Sequence, residues 1–171
     1  MSVPDFNYII EPLSQQHNRT NFHCGIEALD SYLKKQARQD LRRFLTAVFV
    51  LSNLDSNEIA GYYTLAATAI QLAELPLTLT SKIPKYPLIP ATLLGRLAID
   101  EKYQKKGLGT FLLFDALQRS KNSEIASMAV IVDAKNEQAQ QFYEYHQFIP
   151  FPQQPHRLYL PMATIIKLLG D

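Results

Sequence analysis

Apolar positions recur along this chain in two distinct rhythms. Ile26, Leu29, Leu33, Ala37 and Leu41 return at helical spacing, which predicts a helix over residues 26–43. Residues 45–54 are rich in β-forming side chains and predict a strand. A turn at 55–57 sends residues 58–70 back as a second strand, antiparallel to the first. Residues 8–13 supply an earlier strand. Pro76, Pro84, Pro87 and Pro90 crowd the next segment, so 75–90 is expected to be a loop, either a plain connector or the rim of an active site. Beyond it, residues 91–100 read as strand, 109–121 as helix and 125–134 as strand. Residues 136–146 read as a second short helix, and 148–151 and 157–160 as terminal strands. The order β-α-β-β-β-α-β-α-β-β describes a mixed α/β sheet. No internal repeat interrupts it, so residues 1–171 are expected to form one domain.

Composition narrows the function classes. Hydrophobic residues make up 47% of the 171, enough for a substantial core. Seventeen basic residues face sixteen acidic ones, a net charge of +1, which excludes a uniformly polyanion-binding protein but leaves room for local patches. The lone Cys24 forms no internal disulfide and reads as a small packing residue. Neither His23 nor any other histidine completes a metal-ligand set with it, so no metal is expected. Residues 1–16 lack a charged segment followed by an apolar one, and no apolar run reaches about 18 residues. A cytoplasmic protein with no membrane association is therefore expected.

Candidate chemistry concentrates at residues 104–110, Gln104-Lys105-Lys106-Gly107-Leu108-Gly109-Thr110. A strand precedes this segment and a helix follows it. Glycines let the backbone approach a ligand, and successive N–H groups then converge on one point. The helix N-terminus adds partial positive charge and the two lysines add full charges, so the ligand class is a phosphorylated cofactor. The lysines precede the glycines, unlike a P-loop, and a Rossmann fingerprint requires a further glycine. Taken alone, the segment is also compatible with an ordinary glycine turn.

Two further groups stand out. Asn136 is placed to N-cap the second short helix, on which Ala139, Phe142 and Tyr143 share a face. Phe142 suits a core stripe, whereas the Tyr143 hydroxyl needs a partner when buried. In the first helix, Lys34, Lys35, Arg38, Arg42 and Arg43 are opposed only by Asp40. Lys34, Arg38 and Arg42 are expected to form one ridge opposite the apolar one. A solvated helix face explains that ridge as well as phosphate binding does. Arg96 sits within an apolar strand, where a charge either reaches a substrate cleft or pairs with an acid such as Asp100 or Glu58. Arg19 carries no reading.

The segment 104–110 follows the pattern Q-x-x-G-x-G/A, which resembles the acetyl-CoA pyrophosphate loop of the GNAT N-acetyltransferases. Residues 136–148 resemble the same superfamily's N-x-x-A-x-x-F-Y-x-x-x-G-F segment, with Gln147 standing where glycine is usual. Phe22-x-Cys24-Gly25, Leu29-Asp30-x-Tyr32-Leu33, Ile59-Ala60-Gly61-Tyr62-Tyr63-Thr64-Leu65 and Pro84-x-Tyr86-Pro87-x-Ile89-Pro90-Ala91 follow in order. Leu93-Leu94-Gly95-Arg96-Leu97-Ala98-Ile99-Asp100 and a final Leu158-x-Leu160-Pro161 complete the series. Together they resemble the acetyltransferase toxins of bacterial toxin–antitoxin pairs over nearly the whole chain.

The resemblance implies a GNAT fold whose sheet splays open to admit acetyl-CoA. It implies that Leu97, Ala98 and Ile99 pair with the pantetheine arm, and that residues 104–110 hold the pyrophosphate. Asn136 and Phe142 would line the arm, and Tyr143 would protonate the departing thiolate. It implies aminoacyl-tRNA as acceptor; the charge pattern read above then makes Lys34, Lys35, Arg38, Arg42, Arg43 and Arg96 the residues expected to bind it. A small ribbon-helix-helix antitoxin, operator DNA bound through the toxin–antitoxin complex, and a homodimer complete the expectation. Two other functions remain open at this point: a GNAT enzyme acting on a small-molecule or protein amine, and a non-catalytic acyl-CoA-binding regulator. No general base is defined by the sequence.

Overall fold

The computed structural model describes residues 7–170; the first part of the stretch read for a leader, residues 1–6, lies outside them. Seven strands form one sheet in the order β1-β2-β3-β4-β5-β7-β6. They are β1 (Tyr8–Pro12), β2 (Ala47–Asn53), β3 (Ile59–Gln71), β4 (Leu88–Ile99), β5 (Ala129–Asp133), β6 (Ile149–Phe151) and β7 (Gln154–Pro161). Antiparallel pairing joins β1 to β2, β2 to β3, β5 to β7 and β6 to β7. Strands β4 and β5 pair in parallel, through Ala91–Ala129 to Leu94–Val132. A parallel pair needs a long crossover, and helix α4 (Leu108–Asn122) supplies it. The pairing with β5 ends at Leu94, although β4 runs on to Ile99. The expected mixed α/β class is therefore the observed one.

The chain folds as two compact units. The first comprises Met1–Ala66 and Arg96–Ala116. Phe22, Leu29, Leu33, Ala37, Val48, Val50, Tyr62 and Ala98 build its core. The predicted apolar helix ridge is buried at Leu29, Leu33 and Ala37 and half-buried at Leu41. The run is not one regular α-helix, however. It comprises α1 (Glu27–Ser31), a π-helical turn (Tyr32–Gln36) and α2 (Ala37–Arg42), with the Ala37 N–H reaching back to the Tyr32 carbonyl. The wide turn breaks the regular spacing between Lys34 and Arg38, which corrects the expected straight basic ridge. Its carbonyls find a partner in Arg19, whose guanidinium donates to Leu33 O (2.9 Å) and Lys34 O (3.4 Å).

In the same unit, β3 and β4 come close at Gly61. A Cβ there would lie 2.8 Å from the Ala98 carbonyl oxygen and 2.7 Å from Ile99 Cδ1, so a larger residue would push the two backbones apart.

The second unit comprises Ala67–Gly95 and Leu117–Asp171. Its core contains Ile70, Leu75, Ile89, Ala91, Ala129, Ile131, Phe151 and Tyr159. The proline-rich segment is more structured than expected. Pro76 leads into the one-turn helix α3 (Leu77–Thr80), and β4 begins at Leu88 rather than at 91. Pro90 lies within β4, its carbonyl accepting the Met128 N–H (2.9 Å). Strand β5 starts later than expected; Ile125 is 81% exposed and its N–H bonds to Ser123 Oγ (3.2 Å). Helix α5 (Glu137–Tyr145) matches the predicted short helix. Helix α6 (Met162–Leu168), which the sequence reading missed, follows Pro161 and is anchored by the buried Ile165.

Candidate active site

In the first unit, the loop after β4 is tied down at its base. Asp100 accepts hydrogen bonds from the backbone N–H groups of His23 (3.0 Å) and Lys102 (2.9 Å). The Gln104 side-chain amide donates to Cys24 O (3.0 Å) and Ile99 O (2.8 Å), locking the loop to the strand end and to the segment after Phe22. Gln104 thus acts through its neighbours, positioning the loop. Tyr103 is buried, its hydroxyl donating to Glu58 (2.7 Å), and Lys106 Nζ lies 5.5 Å from its ring centroid.

The tip of the loop contains two left-handed residues. Lys105 and Gly107 both take left-handed φ values, +63° and +79°. Alternation of left- and right-handed residues turns successive N–H groups toward one point. The Gly107 carbonyl accepts the Phe111 N–H (3.1 Å), so Gly107 opens α4, and the N–H groups of residues 108–110 lie in its first turn. A Cβ on Gly107 would meet nothing within 4 Å; its φ, not crowding, favours glycine there. Leu108 is buried and pins the helix start, while Lys105, Lys106 and Gly107 are exposed to a ligand. These residues fit a pyrophosphate: a lysine-flanked cradle of backbone donors facing solvent.

In the second unit, Asn136 caps α5 as predicted, its Oδ1 accepting the Ala139 N–H (2.8 Å). Burial falls on Tyr143 more heavily than on Phe142, which is half-buried. The Tyr143 ring packs between Phe142 and Phe148, each with its centroid 5.3 Å away. That burial pushes the phenol well above its ordinary pKa, so it stays protonated at neutral pH. Gln147 takes φ +73°, the left-handed conformation for which glycine is usual. Its N–H bonds to Glu144 O and the Phe148 N–H to Tyr143 O, both 3.0 Å, closing a Schellman cap on α5. The departure at 147 therefore leaves the turn intact.

The basic residues lie in the first unit. Lys34, Lys35, Arg42 and Arg43 are exposed and Arg38 is half-buried. Asp40, their only acid, is engaged by Tyr32 Oη (2.9 Å) and Gln36 Nε2 (3.0 Å). These hydrogen bonds hold its carboxyl below its ordinary range, the Gln36 bond first. Arg96 pairs with neither Asp100 nor Glu58, as one sequence reading had it. Its guanidinium lies flat over Tyr32, 3.5 Å from the ring centroid. Arg19 and Lys34, with His17, Asn18 and Thr20, line a small basic cavity of about 310 Å³. Among the described residues no cluster of His, Cys, Asp or Glu can hold a metal.

Known proteins match this arrangement over nearly its full length. Residues 88–159 match the model of the acetyltransferase (GNAT) domain. The chain is 32% identical to a probable toxin TacT of Sinorhizobium fredii, covering 95% of each chain. It is also 32% identical to a tRNA-acetylating toxin of Mycobacterium tuberculosis, over 93% of this chain and 95% of that one. The chain belongs to the GNAT acetyltransferase toxins.

Solved structures of these GNAT toxins superpose closely. A tyrosine-to-phenylalanine variant of KacT gives a TM-score of 0.89 at 29% identity, covering 95% of this chain and 99% of that one. AtaT complexed with acetyl-methionyl-tRNAfMet gives 0.87 at 31% identity with the same coverage. AtaT structures also include one with the C-terminus of the antitoxin AtaR and acetyl-CoA, and an AtaT–AtaR complex bound to DNA. Two residues of this GNAT toxin escaped the sequence reading. Arg19 supports the π turn across a gap of 14 residues, which no local pattern signals. Phe44 follows α2 in a left-handed conformation, φ +58°, where glycine would be read as a helix stop.

Proposed function

We propose that this protein transfers the acetyl group of acetyl-CoA to the α-amine of an aminoacyl-tRNA, removing that tRNA from translation. The observation that carries this reading is the near-complete likeness to AtaT bound to acetyl-methionyl-tRNA, combined with an intact anion cradle after β4. The enzyme is an acetyl-CoA-dependent N-acyltransferase. Residues 105–110 hold the pyrophosphate on a loop positioned by Gln104; Leu97, Ala98 and Ile99 pair with the pantetheine arm, and Asn136 and Phe142 help bind the cofactor.

The reaction is attack of a neutral amine on the thioester carbonyl. A tetrahedral intermediate forms with an oxyanion and a cationic nitrogen; the nitrogen gives up a proton to water, and collapse forms the amide and expels the thiolate. Backbone N–H groups near Ile99 stabilise the oxyanion. Tyr143 gives its proton to the departing sulfur; a tyrosine, with an ordinary pKa of about 10, is protonated at neutral pH and is reprotonated from water after each turnover. An α-amine, with a pKa of about 7.7–8.0, is appreciably neutral at working pH without a strong base. A lysine side chain, at about 10.4, is not. Lys34, Lys35, Arg38, Arg42, Arg43 and Arg96 receive the tRNA.

The same reading makes the protein a single catalytic domain acting as a homodimer. A ribbon-helix-helix antitoxin holds it in check and carries it to operator DNA. Among the described residues no helix is long and apolar enough to cross a membrane, and the substrate places the enzyme in the cytoplasm. Incubating bulk charged tRNA with labelled acetyl-CoA tests the reading. Label is expected on the α-amine of aminoacyl-tRNA; transfer only to free amines or to protein would replace this function with the small-amine or protein-amine one.

A further inference from the structure

Helix α2 ends in an unusual way. The Leu45 N–H bonds to Asp40 O (2.9 Å) and the Phe44 N–H to Leu41 O (3.2 Å), which together form a Schellman cap. The residue after the cap must be left-handed, and glycine or asparagine normally fills it. Here it is Phe44, at φ +58° and with 95% of its surface exposed. A bulky side chain in this conformation is strained, and Phe44 has almost no packing to offset the cost. The cap fixes the backbone at Phe44 and leaves its ring in solvent.

The surroundings select the occupant. Arg42 and Arg43 immediately precede the ring, and both are exposed, as are Lys34 and Lys35 one helical segment earlier. The one acid of the stretch 34–43, Asp40, accepts hydrogen bonds from Tyr32 and Gln36 and also feels the charge of Arg43, which leaves Arg42, Lys34 and Lys35 without an acid in that stretch. A solvent-facing aromatic on a cationic surface matches the stacking platforms of proteins that bind unpaired nucleic acid, where the ring takes a base and the arginines take phosphates. Leu45 beside it is also 60% exposed, but the exposed cations Lys34, Lys35, Arg42 and Arg43 around this short apolar step favour a polyanion over an apolar protein partner. We propose that Phe44 is a stacking platform for an unpaired base of the tRNA, with Arg42 and Arg43 on the flanking phosphates. This rests on the aminoacyl-tRNA reading and adds to it a contact with the body of the nucleic acid.

Two substitutions test it. Phe44→Gly removes the ring and also relieves the left-handed strain, so it is expected to melt higher than wild type while binding charged tRNA about 5- to 150-fold more weakly, the scale of one lost base–aromatic stack. Phe44→Trp keeps the platform and introduces the chain's only tryptophan. Its fluorescence is expected to be quenched by bulk charged tRNA but not by blunt duplex RNA. Wild-type affinity in Phe44→Gly overturns the proposal, as does equal quenching by the blunt duplex. A change of oligomeric state in Phe44→Gly on sedimentation assigns the ring to a contact between copies and also overturns it. If wild type transfers no label to charged tRNA, the functional reading fails and takes the platform with it. If label is transferred but Phe44→Trp is unquenched, the platform alone fails.

Discussion

The guanidinium of Arg96 lies over the face of Tyr32, 3.5 Å from its centroid, while the Tyr32 hydroxyl donates to Asp40 (2.9 Å). One face of the Arg96 plane is thereby fixed against the π turn. Its edge carries five N–H donors in a fork, and none forms an ion pair with a described residue. Stacking of this kind holds a guanidinium in a defined plane, which a lysine ammonium does not reproduce.

Arg96→Lys is therefore expected to behave like Arg96→Ala. Both should lower kcat/KM on charged tRNA, by roughly 2- to 30-fold if the loss is on the scale of one cation–π contact. Acetyl-CoA affinity, measured by calorimetry, should not change. Full activity in the lysine variant would show that the charge alone suffices and that the stack is incidental.

Most elements were legible in the sequence because their signals are local. The apolar ridge of Leu29, Leu33 and Ala37, the loop at 104–110 and the Asn136 cap each sit within one stretch of chain. What escaped depends on distant partners. The π turn is tied to Arg19, and Arg96 finds Tyr32 across 64 positions of sequence rather than a nearby acid. Helix α3 hid behind prolines that lie before and after it, and α6 follows Pro161, the last residue of the final motif, just past the last predicted strand. Phe44 and Gln147 take left-handed positions that glycine usually marks, so the residue type concealed the turn.

Gln147→Gly follows from that concealment. The α5 cap is already formed, so glycine would keep its hydrogen bonds and remove the strain of a left-handed side chain. The gain is expected to be about 1 kcal/mol, or roughly 2–4 °C in melting temperature for a chain of this size. Turnover should be unchanged, because the Phe148–Tyr143 contact is retained. A lower melting point would mean that the Gln147 side chain contributes a contact of its own.

Cys24 gives the protein a specific alkaline sensitivity. Burial, then the nearby Asp30 carboxylate, raises its thiol from about 9 to about 12. A group whose folded pKa is raised stabilises the fold fully below its unfolded value, and that contribution is lost as pH climbs through the folded one. The window is thus about pH 9 to 12. Tyr32, also raised to about 12, begins from 10, so the first part of the window belongs to the thiol. Melting temperatures measured from pH 8 to 10 should fall more steeply for wild type than for Cys24→Ala. Parallel slopes would remove the thiol from the account. Native protein at pH 8 should also resist thiol reagents until it unfolds.

Tyr143 is expected to be the proton donor, and its burial makes the expectation sharper than a simple loss of activity. Tyr143→Phe keeps the ring between Phe142 and Phe148, so the fold should survive. Turnover on charged tRNA should drop by about 10²–10⁴-fold, the usual scale for losing a general acid. A donor works only below its pKa, and desolvation moves that of Tyr143 upward. The wild-type profile should therefore rise through the α-amine pKa of about 7.7–8.0 and stay flat past the ordinary tyrosine value of about 10. An amide-linked aminoacyl-tRNA analogue, which survives alkaline solution, allows the measurement. A descending limb centred near 10 in folded protein would mean that the donor is an exposed phenol rather than Tyr143. Wild-type turnover in the phenylalanine variant, with chemistry shown to be rate-limiting, would mean that no side chain of this position gives the proton and that water protonates the thiolate.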